Sequence, residues 1–516
     1  METDGVLVVG AGPVGLTAAC GLARLGVPVR VVDALETPTT QSRAVAIHAR
    51  SLETLASLEV LPALEGRGRR IAGLAMVDGR TGEPRADVDF TGIPSRHPYI
   101  LDIAQPDTEA VLAERAAALG IVVERGVTLT ALRQDDDGVE VTLRTGGEEH
   151  TARVGWVVGA DGGHSTTRHL VGTHLEGAFH GQHFAMADVD VATDLSPDVL
   201  RMFTHPDGLA MLFPLAGSRA RVMFLVEDPG TDAPDPTLEQ VQALADARMG
   251  GRVQLSDPRW VTYFEVHHAQ VPQYRHGRVL LAGDAAHIHS PAGAQGMNTG
   301  IQDAANLAWK LGLVATGRAD AGLLDSYHDE RHPVGAAVVK LTTVMTDVAA
   351  LSGVAAACRN AALFVAGHVH RLTDTLATTA AELTIAYTDS ALSVQSGSRG
   401  TARAGDHAPD PDGLRRPDGT PVAVEDLLAR PGFLLLVRGA GEGLAEVLGD
   451  LGTVVRVGED VLDPDDALAA AYGWRDGGMA LVRPDGYLGL VADTTDPAVL
   501  RRYLARTLHV ATPTPA

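Results

Sequence analysis

A chain of 516 residues exceeds what one hydrophobic core organises, so two or three domains are expected. Its 45% apolar content reads as a soluble globular protein, and its net charge of −23 argues against nucleic acid or an anionic membrane surface as a partner. The two cysteines, Cys20 and Cys358, form no Cys-x-x-Cys pair; this excludes a thiol redox motif and a cysteine zinc cluster, and suits a reducing cytoplasm.

The first residues, Met1-Glu2-Thr3-Asp4, are acidic where a secretory signal would be basic, so no signal peptide is expected. Val6 to Val9 reads as a buried strand ending at glycine, Leu16 to Leu25 as a helix closed by Gly26, and Val29 to Val32 as a second parallel strand ending at Asp33. The turn between strand and helix is Gly10-Ala11-Gly12-Pro13-Val14-Gly15. Gly10 permits the tight turn, Gly12 lets a pyrophosphate approach the backbone, and Gly15 lets helix and strand pack closely. The anion would rest on the helix N-terminus. Asp33 lies about 20 residues further on, where a carboxylate can accept from ribose hydroxyls. Strand, helix, second strand and acid stand in register, which disfavours a glycine turn that binds nothing. This unit alone leaves FAD and NAD both open.

Ser42-Arg43-Ala44 and His48-Ala49-Arg50-Ser51-Leu52-Glu53 come next, the latter expected to form a capped, solvated helix turn. The segment Trp156-Val157-Val158-Gly159-Ala160-Asp161-Gly162-Gly163 again reads as strand and glycine turn, running into a helix. Asp161 is placed to cap that helix and Arg168 to pair with it. From Phe179 to about Tyr274, short apolar runs separated by glycine and proline suggest an antiparallel sheet, to which about Ile71 to Ile100 contributes. Met186, Met202, Met211, Phe213, Met223 and Phe224 either line a broad apolar pocket or pack its core; methionine adapts to flat polycyclic shapes.

Arg278 to Ala282 is another buried strand, followed by Gly283-Asp284-Ala285-Ala286-His287. Asp284 then sits at a strand's carboxyl end, where it can hold a ribityl hydroxyl. A glycine-rich loop runs from His287 through Pro291 to Gly296, Met297 and Asn298 and enters a helix through Ile301 to Leu311. Helix N-termini attract negative charge. A reduced flavin is negative around N1 and the C2 oxygen, so the N–H groups of Met297 and Asn298 are candidates to stabilise it. His287 and His289 read as loop-fixing hydrogen bonders rather than acid–base catalysts. Lys340, Asp347 and Arg359 interrupt the Ala/Val-rich stretch from Val334 to Val369, which argues for a packed helix and against a membrane span. Thr401 to Pro421 reads as a linker. Beyond it, Phe433–Val437, Thr453–Val457, Met479–Val482 and Leu488–Val491 are strand candidates, with helices at Leu444–Leu451 and Pro497–Arg506. Gly439-Ala440-Gly441-Glu442-Gly443 has Leu444 where a third glycine would stand and is read as an ordinary strand–turn–helix connection.

The motifs at Gly10–Gly15, Asp161–Arg168 and Gly283–Pro291, in that order, resemble the class A flavoprotein monooxygenases of the para-hydroxybenzoate hydroxylase type. Within that family the resemblance is to bacterial aromatic polyketide hydroxylases and their rifamycin-hydroxylating relatives. It rests on Ser42–Ala44, His48–Glu53, His289–Thr299, Leu324–His332 and Arg483–Tyr487, and covers nearly the whole chain. It implies an α/β architecture in three parts. A Rossmann-like FAD-binding domain would span 1–70, 101–178 and 275–398. An inserted antiparallel-sheet substrate domain would span 71–100 and 179–274, and a thioredoxin-like domain without redox cysteines 399–516. It also implies roles. Gly10, Gly12, Val14 and Gly15 would bind pyrophosphate through backbone, and Asp33, where the family more often has glutamate, the adenosine ribose. Arg43, Gln105 and Asp161 would contact FAD, and Asp284 its ribityl or pyrophosphate region. Gly296, Met297 and Asn298 would meet the flavin ring, and Val127 adenine by its backbone.

The activity so implied has NAD(P)H reduce bound FAD, with the nicotinamide docking transiently because no second dinucleotide fold is present. Oxygen adds at C4a, and the resulting hydroperoxide gives one atom to an electron-rich ring of a small-molecule aromatic substrate, a polycyclic polyketide-type phenol, the Pro291 carbonyl orienting it. No residue is assigned as acid or base. Baeyer–Villiger oxygenation of a related polyketide, a reductase or oxidase, and a non-enzymatic FAD-binding module are the competing readings. A flavin halogenase is disfavoured because Trp156, Trp260, Trp309 and Trp474 are isolated and no Trp-x-Trp-x-Ile-Pro motif exists. A cytoplasmic monomer or homodimer is expected, with no metal.

Overall fold

The computed structural model describes residues 5–40, 42, 44–230, 233–289, 294–350, 370–397 and 400–508. Five sheets organise them. Val6–Val9 lies inside a six-stranded sheet in the order Arg275–His276, Val279–Leu281, Trp156–Gly159, Val6–Val9, Val29–Asp33, Val123–Arg125. Every pair is parallel except the one with Arg275–His276. Parallel strands are covered on both faces, which is why these segments are apolar without alternation. Val6, Val8, Val31, Val158 and Leu280 pack under helices on one side. Leu7, Val9, Val32, Val157 and Val279 pack on the other against Val127–Gln134, Val139–Thr145 and Glu148–Val154, a three-stranded antiparallel sheet.

The helix after the first strand runs Pro13–Arg24, with proline in its first turn where the missing N–H costs nothing. It packs on Gln295–Ala315 and Gln105–Ala118. A Cβ on Gly21 would stand 2.8 Å from the Ala308 Cβ, so glycine sets how closely the two helices approach.

An eight-stranded sheet has the order His287–Ile288, Val253–Gln270, Glu176–Thr193, Arg219–Val226, Ala210–Pro214, Val199–Thr204, Gly73–Asp78, Pro84–Asp89. The expected antiparallel sheet therefore includes the 71–100 region, but one pair, Val199–Thr204 with Gly73–Asp78, is parallel. Alternation sorts its side chains. Met186, Met211, Phe213 and Met223 face one cluster, and Ala187, Leu212, Val222 and Phe224 the opposite one. Between this sheet and the six-stranded one lie Ala46–Ile47, Ile100–Asp102 and Arg69–Ile71, a small antiparallel sheet.

The C-terminal sheet has the order Val394–Ser396, Leu488–Ala492, Gly478–Val482, Phe433–Arg438, Gly452–Val457, with parallel and antiparallel pairs. Gly439–Gly443 connects Phe433–Arg438 to the helix Leu444–Leu448, as an ordinary strand–turn–helix link. The segment 401–421 is not a free linker. Ala402, Ala404, Ala408 and Leu414 are buried in the core of this region, and bridges join His407 to Tyr487 and Arg415 to Leu462. Its polar composition supplies turns while its few alanines and leucines anchor it.

A buried ionic network ties this region to the helices. The Arg483 guanidinium donates to both Glu330 oxygens, at 2.7 and 2.8 Å, and to Asp485, while Lys310 Nζ donates to Glu330 at 2.7 Å. Burial pushes the Lys310 ammonium down to about 8 although Glu330 opposes it. Among the described residues no helix is long and apolar enough to cross a membrane; the described part of the 334–369 stretch, through 350, belongs to the helix Asp325–Ala350.

Candidate active site

The first glycine turn contains three glycines with three different physical reasons. A Cβ on Gly10, whose φ is +104°, would lie 2.3 Å from the Ala160 carbonyl oxygen; one on Gly15 would lie 2.0 Å from the Gly10 carbonyl oxygen. Both are demanded by protein packing. Gly12 is different. Its φ of −77° and ψ of −178° are open to any residue, and a Cβ there meets nothing within 4 Å. Nothing within the protein requires glycine at this position, at the N-cap of a helix whose first N–H groups have no partner in the helix. A close-approaching anion does require it. The residues present therefore fit the pyrophosphate of a dinucleotide.

Asp33 holds this turn: its Oδ2 accepts from the Ala11 N–H at 2.7 Å, and Arg125 Nη1 lies 3.5 Å away. The Val14 side chain wedges against Gly283 and Gly300, where an added Cβ would approach it to 2.9 and 2.6 Å. The first motif is thus keyed into the third.

In the middle motif, the N-cap of the helix Thr166–Leu170 is Ser165, whose hydroxyl accepts from the Arg168 N–H at 2.9 Å; Asp161 shares the capping, accepting from the Thr167 N–H at 2.9 Å and from the Ser165 and Thr167 hydroxyls. Arg168 does not hydrogen-bond to it. Its guanidinium donates instead to the carbonyls of Gly163 at 2.6 Å and Ala285 at 3.2 Å, joining the second motif to the third. The reason is that both Asp161 oxygens are already committed to the cap.

The third motif is fixed from below. Asp303, on the helix Gln295–Ala315, accepts from the Gly283 N–H at 3.1 Å, from Arg331 Nε at 2.7 Å, and pairs with His287 Nε2 at 2.7 Å. Arg331 also donates to the Thr299 carbonyl and to the Tyr387 hydroxyl. Burial by itself would raise the Asp303 carboxyl; Arg331 and His287 outweigh it and hold the group below its ordinary value. His287 accordingly acts as a loop-fixing group.

The helix itself starts at Gln295 after Ala294, whose φ is +54°. Its N-terminal N–H groups, those of Gln295, Gly296 and Met297, have no carbonyl four residues back within the helix; the Asn298 N–H, expected beside that of Met297 as a donor to the flavin, is the first that has one, the Ala294 carbonyl, because the helix already starts at Gln295. The Asn298 side chain is a clamp: Oδ1 accepts from the His48 N–H, and Nδ2 donates to the carbonyls of Ala46 and Ala294. Thr299 and Gln302 in the same helix donate to Glu382, which burial pushes up to about 7. A buried acid with a raised value is protonated more readily folded than unfolded, so its contribution to stability declines as pH rises from its ordinary 4.5 towards 7. Glu382→Gln should therefore stabilise the protein above pH 7, by on the order of 3 kcal/mol if the whole shift is relieved, and flatten that decline. Thermal melts of both proteins between pH 5 and 8 check it.

These elements surround one cavity of about 550 Å3. Gly12, Val14, Gln105, Gly162, Asp284, Gly296 and Met297 line one part of it; Phe213, Arg221, Met223, Trp260, Tyr263 and Phe264, from the eight-stranded sheet, line another. Gln105 braces the wall, accepting from the Ala44 N–H and donating to Glu109. Met186 and Met211 lie on the same face of the sheet as Phe213 and Met223 but are buried in the cluster on that face and do not line the cavity. Phe224 points to the opposite face of the sheet because it is adjacent in sequence to Met223, and strand neighbours face opposite ways. Val127 is buried under Val9 and Val32, outside the cavity wall. Arg43 and Pro291 lie outside the described residues. Arg50 and Glu53, expected to be solvated, are a buried ion pair against the C-terminal region, beside Ser95 and His407. Among the described residues no cluster of side chains suited to hold a metal ion occurs.

A family described as FAD binding domain matches residues 3–342. The chain belongs to this FAD-binding family. It is 36% identical to a 6-methylpretetramide 4-monooxygenase from Streptomyces rimosus, over 99% of this chain and 94% of the relative. Among solved structures, an anhydrotetracycline hydroxylase from Streptomyces rimosus is 30% identical with a TM-score of 0.81, over 98% of this chain and 99% of that one. An aklavinone-11 hydroxylase, solved with FAD and aklavinone bound, is 26% identical with a TM-score of 0.80, again over 98% and 99%. The chain is an FAD-dependent monooxygenase of the aromatic polyketide hydroxylase group, with O2 and NAD(P)H as co-substrates. As a monooxygenase of this family it has its three glycine motifs on one cavity, together with aromatic side chains and Met223 of the eight-stranded sheet.

Proposed function

We propose that this monooxygenase hydroxylates a polycyclic, polyketide-type phenol in the cavity between the glycine motifs and the eight-stranded sheet. The observation that carries the proposal is the shared cavity: Gly12, open to an anion, and the sheet residues Phe213, Met223, Trp260 and Phe264 border the same space. Apolar and aromatic walls with a few polar groups suit a flat fused-ring ligand.

Each group has a task in this reading. Backbone N–H groups at Gly12 and the following turn bind the pyrophosphate, Asp33 the adenosine ribose, and Asp284 the ribityl region. The N–H groups of Gly296 and Met297 face the pyrimidine edge of the ring and favour negative charge there. Bound FAD supplies the oxygen-activating chemistry. The protein supplies orientation and exclusion of water, with Met186 and Met211 packed beside Met223 on the same face of the sheet. Arg43 is proposed as a further contact to FAD, and the Pro291 carbonyl as the group above the ring. The architecture supports three functional parts: an FAD domain at 1–70, 101–178 and 275–398, a substrate domain at 71–100 and 179–274, and a thioredoxin-like domain at 399–516. Without cysteine in that last part its role is structural.

The test is turnover of anhydrotetracycline as a model phenol with NADPH and air, followed by NMR of the product. A new phenolic or tertiary carbon-bound hydroxyl supports hydroxylation. A ring-expanded lactone would replace it with Baeyer–Villiger chemistry, and consumption of NADPH with every tested polycycle recovered unchanged would contradict an oxygenase acting on this class.

A further inference from the structure

Across four strands of the eight-stranded sheet, one row of side chains on the cavity face reads Phe213, Arg221, Asp188, Trp260, in paired register. The next row is Met211, Met223, Met186, Thr262. An ion pair thus sits in an otherwise apolar surface, buried to 1% and 8% exposure for its two side chains. Arg221 Nε and Nη2 donate to the two Asp188 oxygens at 2.7 and 2.9 Å, and the guanidinium lies 5.2 Å from the Trp260 ring centroid.

Asp188 and Trp260 hold the guanidinium in place and consume only part of its donors. Nη1 is buried and has no hydrogen-bond partner. Buried donors are nearly always paired, and an isolated one costs about 1–3 kcal/mol. Arg221 also lines the cavity, and is the only arginine or lysine among the described residues that do. A second group nearby is equally unusual. Asp102, fully buried on the small sheet behind the cavity, has no partner for either oxygen, and Arg221 is the charged group that acts on it. Burial pushes the Asp102 carboxyl well above its ordinary value although Arg221 opposes it, and neither of its oxygens hydrogen-bonds to the free side of Arg221.

We infer that Arg221 is a specificity-determining residue whose Nη1–H donates to an anionic oxygen of the substrate, selecting polycyclic aromatics that carry an acidic phenol or an enolised β-dicarbonyl. The inference rests on the functional reading above and narrows its substrate class. The fixed fork matters: Asp188 holds Nε and Nη2, which leaves Nη1 as the nitrogen of this cavity-lining side chain that the protein itself does not use. A charge-assisted bond in a water-poor cavity favours the ionised oxygen over a neutral ether at the same position.

The experiment titrates the holoenzyme with 1,8-dihydroxyanthraquinone and with 1,8-dimethoxyanthraquinone, following each probe's visible absorbance. Wild type should bind the dihydroxy compound at least tenfold more tightly. The paired variant Arg221→Met with Asp188→Leu removes both charges, so no uncompensated carboxylate remains buried. It should retain FAD and its dimethoxy affinity, and lose the preference. Arg221→Lys keeps the charge without the fork and should weaken the preference, which keeps the test decisive should the pair fail to fold. An FAD-loaded variant with the wild-type preference, or a wild type that does not distinguish the probes, overturns the inference. A wild type that binds no FAD would instead contradict the functional reading, while the probe preference is still read from the apo-protein.

Discussion

Gly12→Val should give a folded protein that cannot hold FAD. The position has extended backbone angles that valine adopts readily, and a Cβ there meets no protein atom. A branched side chain would instead occupy the space into which the pyrophosphate must come. Losing that approach should weaken FAD binding by about 100-fold or more, equivalent to roughly 3 kcal/mol. Gly10→Ala and Gly15→Ala should behave in the opposite way. Their methyl groups would press to 2.3 and 2.0 Å from backbone oxygens, so these variants should lose stability before cofactor affinity can be measured. Flavin content by absorbance, with thermal melts of the three apo-proteins, separates the two classes. If Gly12→Val melts early, as the other two should, the glycine serves packing and the ligand argument fails.

Asp303→Ala should be the most destabilising substitution near the site. It strands Arg331 and His287 in a core where Asp303 and Arg331 have 0% side-chain exposure. Removing one partner of a buried pair costs about 3–5 kcal/mol, because the remaining charge is left without compensation. It also frees the Gly283 N–H, so the third motif loosens and FAD retention should fall. Asp303→Leu combined with Arg331→Met should recover part of the stability, since no buried charge is stranded. The carboxyl is held below its ordinary 3.8 when folded, so its stabilising contribution is complete above about pH 4 and fades as pH drops below it. The gap between wild type and Asp303→Ala in chemical denaturation should accordingly narrow at pH 3.5. An unchanged gap would mean that the pair contributes packing and not charge.

The parallel βαβ unit was legible because each of its elements carries its own signal: an apolar run, a glycine turn, proline at the helix start and an acid at the second strand's end. The wall of the cavity was only half legible. Strict alternation in Arg219–Val226 places Arg221 and Met223 on one face and Phe224 on the other, so the sequence contained the means to exclude Phe224. It did not contain the register that sets Asp188 opposite Arg221 and Trp260 opposite Asp188, because that depends on strands more than 30 residues apart in sequence. Arg168 was misplaced in part for a similar reason: one of its two partners, the Ala285 carbonyl, is 117 residues away, the other is the nearby Gly163 carbonyl, and a nearby aspartate looked sufficient. Arg50 and Glu53 looked solvated because the region that buries them begins some 350 residues later, at His407 and its neighbours. Local chemistry shows which residues hold a turn; long-range packing decides which of them face a ligand.

The central claim is that O2-derived oxygen enters a substrate bound in this cavity. Turnover of anhydrotetracycline with NADPH under 18O2, read by mass spectrometry of the product, tests it most directly. The account predicts one 18O atom per product molecule, with the second oxygen atom recovered in water. Product carrying only solvent oxygen, or full recovery of the reduced oxygen as labelled hydrogen peroxide with the phenol unchanged, would contradict it.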